Sequence, residues 1–123
     1  MEEMERMLKK IEAILVLDPR YKFEAYSFVM AGLHHTVTKL SRPRHVSGRE
    51  LCEGLKEYAL QQFGPMAKTV LDYWGIHRTD DFGNIVFHLV ESHLLKKTEE
   101  DSLRDFENVY DFNQAFQYEI KEE

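Results

Sequence analysis

The chain has 123 residues, of which 43% are hydrophobic and 31% charged, and its formal net charge is −6. This length suits one domain, and the composition predicts a folded chain and excludes a disordered one. No apolar run approaches the roughly 20 residues that span a bilayer, and the acidic start at Glu2, Glu3 and Glu5 does not fit a signal peptide. Because a lone cysteine, Cys52, fits a reducing compartment, we expect a cytoplasmic protein.

The negative charge is concentrated in the C-terminal quarter. Residues 1–97 contain 14 Lys and Arg against 13 Asp and Glu, whereas residues 98–123 contain 2 against 9. A long acidic stretch is typical of a solvated surface, although an interaction arm is the alternative. In either case, the net charge repels nucleic acid on average.

Two helices are predicted first. Apolar residues recur at spacings of three and four from Met4 to Leu15, which predicts an amphipathic helix. Asp18-Pro19 is expected to start the second helix, because Asp caps exposed backbone N–H groups and Pro is tolerated in a first turn. That helix runs to about Lys39, and Gly32 within it is either a weak point or a site of close helix approach.

A loop at 41–46 separates the second helix from the third. Pro43 predicts this break, because proline disfavours helical geometry at the preceding Arg42 and has no backbone N–H. Ser47 and Glu50 then have the spacing of a capping box, in which each side chain accepts a hydrogen bond from the other residue's backbone N–H. We therefore expect the third helix to begin at about residue 48.

Two further helices are predicted after the third. Phe63-Gly64-Pro65 is expected to end helix 3, and apolar positions from Met66 to Trp74 predict helix 4. Thr79 is the expected N-cap of helix 5, with Asp80-Asp81 in the first turn, where negative charge is favoured. The apolar face of helix 5 extends over residues 82–94.

The last quarter is ambiguous between strand and helix. Alternating aromatics over residues 106–112 favour a strand, although a helical spacing from Phe106 to Phe116 is also present. The choice between strand and helix for residues 103–112 therefore stays open. The preferred prediction is a short hairpin of residues 95–97 and 108–112. The sequence thus predicts a mainly α fold of about five helices with a C-terminal β-hairpin. It forms one domain over residues 1–118, and residues 119–123 are expected to fray.

Seven strings resemble a family of small bacterial proteins named after a Methylacidiphilum locus. The resemblance covers about residues 11–116 and implies no activity, cofactor or catalytic residue. The strings are Asp18-Pro19-Arg20-Tyr21, Ala25-Tyr26-Ser27-Phe28-Val29, His45-Val46-Ser47-Gly48-Arg49-Glu50-Leu51, Phe63-Gly64-Pro65-Met66-Ala67, Trp74-Gly75-Ile76, Asp81-Phe82-Gly83-Asn84-Ile85-Val86-Phe87 and Val109-Tyr110-Asp111-Phe112.

The order of helix 4, helix 5 and a hairpin is similar to that of winged-helix domains. Such a resemblance implies either DNA binding or protein contact. Base reading by helix 5 is disfavoured, because its polar positions contain no Lys or Arg and their carboxylates would repel phosphate. Those positions are Asp80, Asp81, Asn84, His88, Glu91 and Ser92.

No catalytic, nucleotide-binding or metal-binding motif is present, so we expect no cofactor. His88 and His93 are five residues apart, whereas helical two-histidine metal sites use spacings of three or four. Cys52 falls on the apolar stripe of helix 3, which favours a buried thiol over a nucleophile. Enzymatic activity is left open. A cleft joining His34, His35 or His45 to a carboxylate would favour it.

The best candidate for a binding surface is a basic segment after helix 2. Its residues contain four formal positive charges, and no acid occurs between residues 25 and 49. We expect it to contact a protein partner, either another protein or a second copy in a homodimer, more than nucleic acid. The alternative is that it complements the chain's own acidic C-terminal quarter. The predicted partner-binding residues are Lys39, Arg42, Arg44, His45 and Arg49.

Overall fold

The computed structural model describes residues 2–42, 44–96 and 102–117, and this part of the chain is helical and contains no strand. The mainly α prediction is therefore confirmed. Two short 3-10 turns cover Gly64–Met66 and Leu103–Phe106. The α-helices are α1 (Glu2–Leu17), α2 (Phe23–Thr38), α3 (Gly48–Phe63), α4 (Ala67–Tyr73), α5 (Thr79–Glu91) and the short α6 (Phe112–Ala115).

The pair α2 and α3 forms the largest helix–helix contact. Glycines allow the two backbones to approach, because a Cβ at Gly32 would collide with Leu55 and one at Gly54 with Thr36. Gly32 is thus a site of close approach, the second of the two roles that its position in helix 2 predicts. The Thr36 hydroxyl donates to the Gly32 carbonyl at 2.7 Å, which keeps this polar side chain satisfied at the contact.

Helix α5 is the most enclosed element. It packs against α2, α3 and the 3-10 turn at Leu103–Phe106, and Glu91 is its only exposed residue. By contrast, α1 lies at the edge of the fold and buries only Ile11 and Ile14. The hydrophobic core therefore forms between α2, α3 and α5. No helix in the described part of the chain is both long and apolar enough to cross a membrane.

Helix α2 begins at Phe23, so the prediction that Asp18-Pro19 starts it is wrong. The Asp18 carboxylate instead accepts hydrogen bonds from the backbone and guanidinium of Arg20, which closes a turn. A Cβ at Gly75, where φ is +92°, would collide with the Arg20 carbonyl. Residues 18–22 thus form a turn packed on the α4–α5 connection.

The start of α3 is as predicted. Glu50 N–H donates to Ser47 Oγ at 3.1 Å, and Ser47 N–H donates to Glu50 Oε1 at 3.0 Å. At α5 the helix start is correct but the predicted N-cap is wrong. The buried Thr79 hydroxyl donates to the Phe106 carbonyl at 2.6 Å and accepts from Val109 N–H at 3.1 Å. Thr79 therefore holds the C-terminal segment.

The predicted C-terminal hairpin is not seen in the described residues. Residues 103–106 form the 3-10 turn, residues 107–111 form turns, and α6 follows. Tyr110 donates its hydroxyl to the Cys52 carbonyl at 2.6 Å. Because Thr79 and Cys52 satisfy this segment from the helices, it requires no strand partner. Residues 97–101 of the expected hairpin, and the fraying expected at 119–123, lie outside the described residues.

Candidate functional site

The structure divides the predicted basic cluster between two surfaces. Lys39 and Arg49 line an open groove between α2 and α3, whereas Arg44 and His45 line a smaller apolar cavity on the other side of the loop. Arg42 is exposed and lines neither. The five residues therefore do not form one continuous site.

Lys39 already has a charged partner. Its ammonium forms an ion pair with the carboxylate of Glu57 on α3. The alternative from the sequence, in which the acidic C-terminal quarter complements the basic segment, does not describe this pair, because Glu57 lies on α3. Arg49 forms no ion pair with any residue in the described ranges, so its charge stays available in the groove.

Arg44 is positioned at the cavity by a bidentate contact. Its two terminal nitrogens donate to the two oxygens of Glu50 at 3.0 and 2.7 Å, and one also donates to the His45 carbonyl at 3.0 Å. The Arg44 guanidinium lowers the pKa of Glu50 to about 2, so that carboxylate stays charged. Glu50 thus joins the capping box of α3 to Arg44, and half of the Arg44 side chain remains exposed.

The apolar cavity has a volume of about 250 Å³ and lies between α2, the loop before α3 and the end of α5. Its walls are mainly aliphatic, and Lys96, which follows α5, completes its edge. Three basic residues and no carboxylate appear among the described residues that line it. The lining consists of Leu33, Val37, Arg44, His45, Val46, Ser47, Gly48, Leu51, Val86, Leu95, Lys96 and Phe106.

We call Arg44, His45 and Lys96 the basic rim. Lys96 forms no ion pair within the described part of the chain, and neither does Arg42, two residues before Arg44. Sequence reasoning missed Lys96 because it lies about fifty positions after the loop that it joins in space. A dibasic Lys96-Lys97 pair at the end of an apolar helix pattern is the signal that could have identified it.

A separate set of polar side chains lies between the 18–22 turn, α2 and α5. Tyr21 donates its hydroxyl to Asp81 Oδ1 at 2.6 Å, and the Tyr26 hydroxyl is 2.9 Å from His88 Nδ1. His88 Nε2 is in turn 3.3 Å from Asp18 Oδ2. We call these five residues the tyrosine network.

The tyrosine network links a buried pair of tyrosines to partly exposed partners. Tyr26 is fully buried and Tyr21 nearly so, and burial raises the pKa of Tyr26 to about 12. The order carboxylate, imidazole and hydroxyl is that of a catalytic relay, but a relay must reach a reacting atom. The contacts of the five residues tie α5 to α2 and to the 18–22 turn, and none of the five lines the apolar cavity.

His35 and Glu57 meet in the groove between α2 and α3, which is one of the arrangements that would favour an enzyme. His35 Nε2 is 3.6 Å from Glu57 Oε1, beyond a hydrogen bond. That nitrogen is shielded from solvent and makes no hydrogen bond with the described residues. A general base must contact the proton that it removes, and in this structure His35 Nε2 is turned away from solvent.

An open polar cleft of about 720 Å³ lies beside the start of α5. Within it, Lys68 Nζ is 2.9 Å from Asp72 Oδ2, and His77 Nδ1 is 3.1 Å from Asp72 Oδ1. Both oxygens of Asp72 are therefore engaged by the chain's own side chains. The other carboxylate that lines the cleft among the described residues, Asp111, accepts from the Asn113 N–H at 2.7 Å.

Metal-ligating and nucleophilic groups are dispersed. No three His, Cys, Asp or Glu side chains within residues 2–42, 44–96 and 102–117 are grouped so as to hold a metal ion. The Cys52 thiol is fully buried, as the sequence indicates, and burial raises its pKa to about 12. A thiol in that state does not act as a nucleophile near neutral pH.

Comparison of the chain with protein-family models, curated proteins and solved structures found no match. The resemblance to the bacterial family and the weaker similarity to winged-helix domains therefore stay predictions. The arrangement with the most distinct chemistry is the apolar cavity with its basic rim, because it combines a concave apolar surface with the half-exposed Arg44 guanidinium and with Lys96, which forms no ion pair in the described residues.

Proposed function

We propose that this chain is a cytoplasmic, non-enzymatic domain that binds an acidic segment of a partner protein at the basic rim. The observation that carries the proposal is the composition of the cavity edge. Arg44, His45 and Lys96 line it. Arg44 is paired with Glu50 but keeps half of its side chain exposed, and Lys96 has no ion pair in the described residues. Arg42 extends the same charge along the loop. Such a surface attracts carboxylates and repels other cations.

A protein partner fits this surface better than a nucleic acid. Protein interfaces combine an apolar centre with a polar edge, and the cavity and its rim have that arrangement. Nucleic-acid surfaces instead spread cations along a track of phosphates. Helix α5, the recognition helix of a winged-helix reading, has only Glu91 exposed, and a carboxylate there would repel a phosphate backbone.

The test uses labelled peptides of about 15 residues, long enough to form a short helix or strand on the surface. Each has a central leucine, and the flanking residues are Glu in one peptide, Gln in the second and Lys in the third. We expect fluorescence anisotropy to show the order Glu, Gln, Lys from tightest to weakest. Affinity for the Glu peptide should fall as salt rises, because exposed charges are screened.

Charge reversal identifies the surface. Arg42→Glu with Lys96→Glu changes two cations that have no ion pair in the described residues and leaves the Arg44–Glu50 contact intact. We expect about tenfold weaker binding of the Glu peptide and a gain for the Lys peptide. The matched control is Arg6→Glu with Lys9→Glu, an exposed Arg and Lys pair on α1, which lines no part of the cavity.

Two results would overturn the proposal. One is equal affinity for the Glu and Lys peptides, and the other is an equal loss in the α1 control. A second copy of the chain is the competing occupant. Sedimentation velocity showing a dimer that dissociates in the Arg42→Glu, Lys96→Glu variant would assign the surface to self-association and remove the external partner.

A further inference from the structure

The apolar cavity is small compared with cavities that enclose whole ligands. Cavities that enclose drug-sized molecules and cofactors have volumes of roughly 300–1,000 Å³. The volume of about 250 Å³ lies below that range and corresponds to one large side chain with some clearance. A single inserted group is therefore the occupant that matches the size.

The walls of the cavity select an apolar group. Leu33 and Val37 come from α2, Val86 from α5, and Phe106 from the 3-10 turn, so three separate elements present hydrocarbon to the same space. Val37 is 37% exposed at the mouth, whereas Val46 and Phe106 are buried. A side chain entering past Val37 would exchange water for aliphatic and aromatic contacts, which is the usual source of affinity at an interface centre.

The charge of the basic rim determines which residues can flank the inserted side chain in the partner's sequence. Arg44 approaches from the loop before α3, and Lys96 approaches from the segment after α5. An apolar group that fills the cavity consequently brings its neighbours in sequence within reach of cations from two segments. Carboxylates at those neighbouring positions would be stabilised, and lysines would be repelled.

We propose that the cavity is a pocket for one bulky aliphatic or aromatic side chain of the partner, flanked in sequence by acidic residues. This inference rests on the proposed function and deepens it by naming the recognition element. The charge of the flanking residues provides steering and selectivity, and the inserted side chain provides contact area. Recognition of this kind requires both features in one short segment.

The experiment varies the inserted side chain and the pocket independently. The Glu peptide is compared with the same peptide in which the central leucine is replaced by alanine. On the protein, Val37→Phe places additional volume at the mouth of the pocket. Its matched control is Val16→Phe, a valine of α1 that is 83% exposed and lines no part of the cavity.

We expect leucine-to-alanine replacement in the peptide to weaken binding about tenfold, which corresponds to loss of most of a buried aliphatic side chain. Val37→Phe should weaken binding of the leucine peptide to a similar degree and leave the affinity for the alanine peptide unchanged. Combining both changes should give little more than either alone, because both remove the same contact. Val16→Phe should behave as the unmodified protein.

A second measurement needs no variant. In a titration followed by methyl NMR, the leucine peptide should shift the Leu33 and Val86 methyl signals and leave those of Val16 in place. Equal binding of the leucine and alanine peptides, with Glu still preferred over Lys, would overturn the pocket and leave the proposed function standing. If the preference for the Glu peptide over the Lys peptide is lost as well, both the pocket and the proposed function are overturned. Displacement of the peptide by an equal concentration of octanoate would assign the pocket to a small amphiphile and overturn the inference.

Discussion

The tyrosine network and the basic rim are both built from ionisable side chains, but they differ in where their partners come from. In the network, Asp81 and Asp18 are bonded by groups of the chain itself. At the rim, Arg44 is paired with Glu50 but half exposed, and Lys96 has no ion pair in the described residues. Arg42, two residues before Arg44, has none there either. A group that the fold satisfies stabilises the fold, whereas a group that the fold leaves exposed is available to a partner.

Among the substitutions in the tyrosine network, Asp81→Ala should have the largest effect on stability. The Asp81 carboxylate accepts from the Tyr21 hydroxyl and from the backbone N–H groups of His77 and Arg78 at the start of α5. Its loss leaves the hydroxyl of a buried tyrosine without an acceptor and removes the N-terminal cap. We expect a loss of about 2–4 kcal/mol in the free energy of unfolding, measured by urea denaturation.

The neighbouring Asp80→Ala is the matched control. Asp80 accepts only a 3.4 Å bond from Asn108 N–H and lies 4.0 Å from Arg78 Nε in the described part of the chain. Its removal should cost less than about 1 kcal/mol. Equal losses in the two variants would show that the network contributes nothing beyond the charge at a helix start.

The Asp18 carboxylate should make the free energy of unfolding depend on pH in the acid range. Hydrogen bonds from Arg20 lower the pKa of Asp18 from 3.8 to about 2. A pKa that is lower in the folded state stabilises the fold above the unfolded value, and this stabilisation is lost as pH falls from about 4 to about 2. Because water still reaches Asp18, Asp18→Asn should cost about 1 kcal/mol near pH 7.

The difference between Asp18→Asn and the unmodified protein should shrink below pH 4 and vanish only once pH is below about 2. Parallel urea titrations at several pH values measure it. Glu50 also has a pKa of about 2, but it titrates in both proteins and cancels in the difference. A difference that stays constant down to pH 2 would contradict the role of the Asp18 charge.

Local patterns predicted the helices well, because each depends on neighbours in sequence. The capping box of Ser47 and Glu50 and the stop at Phe63-Gly64-Pro65 need no tertiary information. The start of α2 was misplaced because Arg20, two residues after Asp18, competes for the same carboxylate that would cap a helix. Thr79 was misassigned for a related reason, since its hydroxyl bonds a carbonyl in the C-terminal segment.

Long-range features were beyond sequence reasoning. The apolar cavity requires Val37 and Phe106 to meet across the fold, and hydrophobic periodicity says which residues are inside without saying where a gap remains. The pairing of Tyr21 with Asp81 spans sixty positions and leaves no periodic trace. The alternating aromatics of residues 106–112 favoured a hairpin. Hydrogen bonds to helical residues such as Thr79 hold this segment instead, and no strand occurs in its described residues.

Charge reversal at Arg42 and Lys96 should have the smallest effect on stability. Arg42→Glu with Lys96→Glu should change the free energy of unfolding by less than about 0.5 kcal/mol, as exposed substitutions away from a structural contact do. The same variant is expected to lose about tenfold in affinity for the Glu peptide, so binding and stability should separate at the rim. In Asp81→Ala, by contrast, stability should fall while the folded fraction keeps its peptide affinity, because Asp81 lines no part of the cavity. If the rim variant unfolds as readily as Asp81→Ala, its cations serve the fold, and the distinction between satisfied and available charges does not hold for this chain.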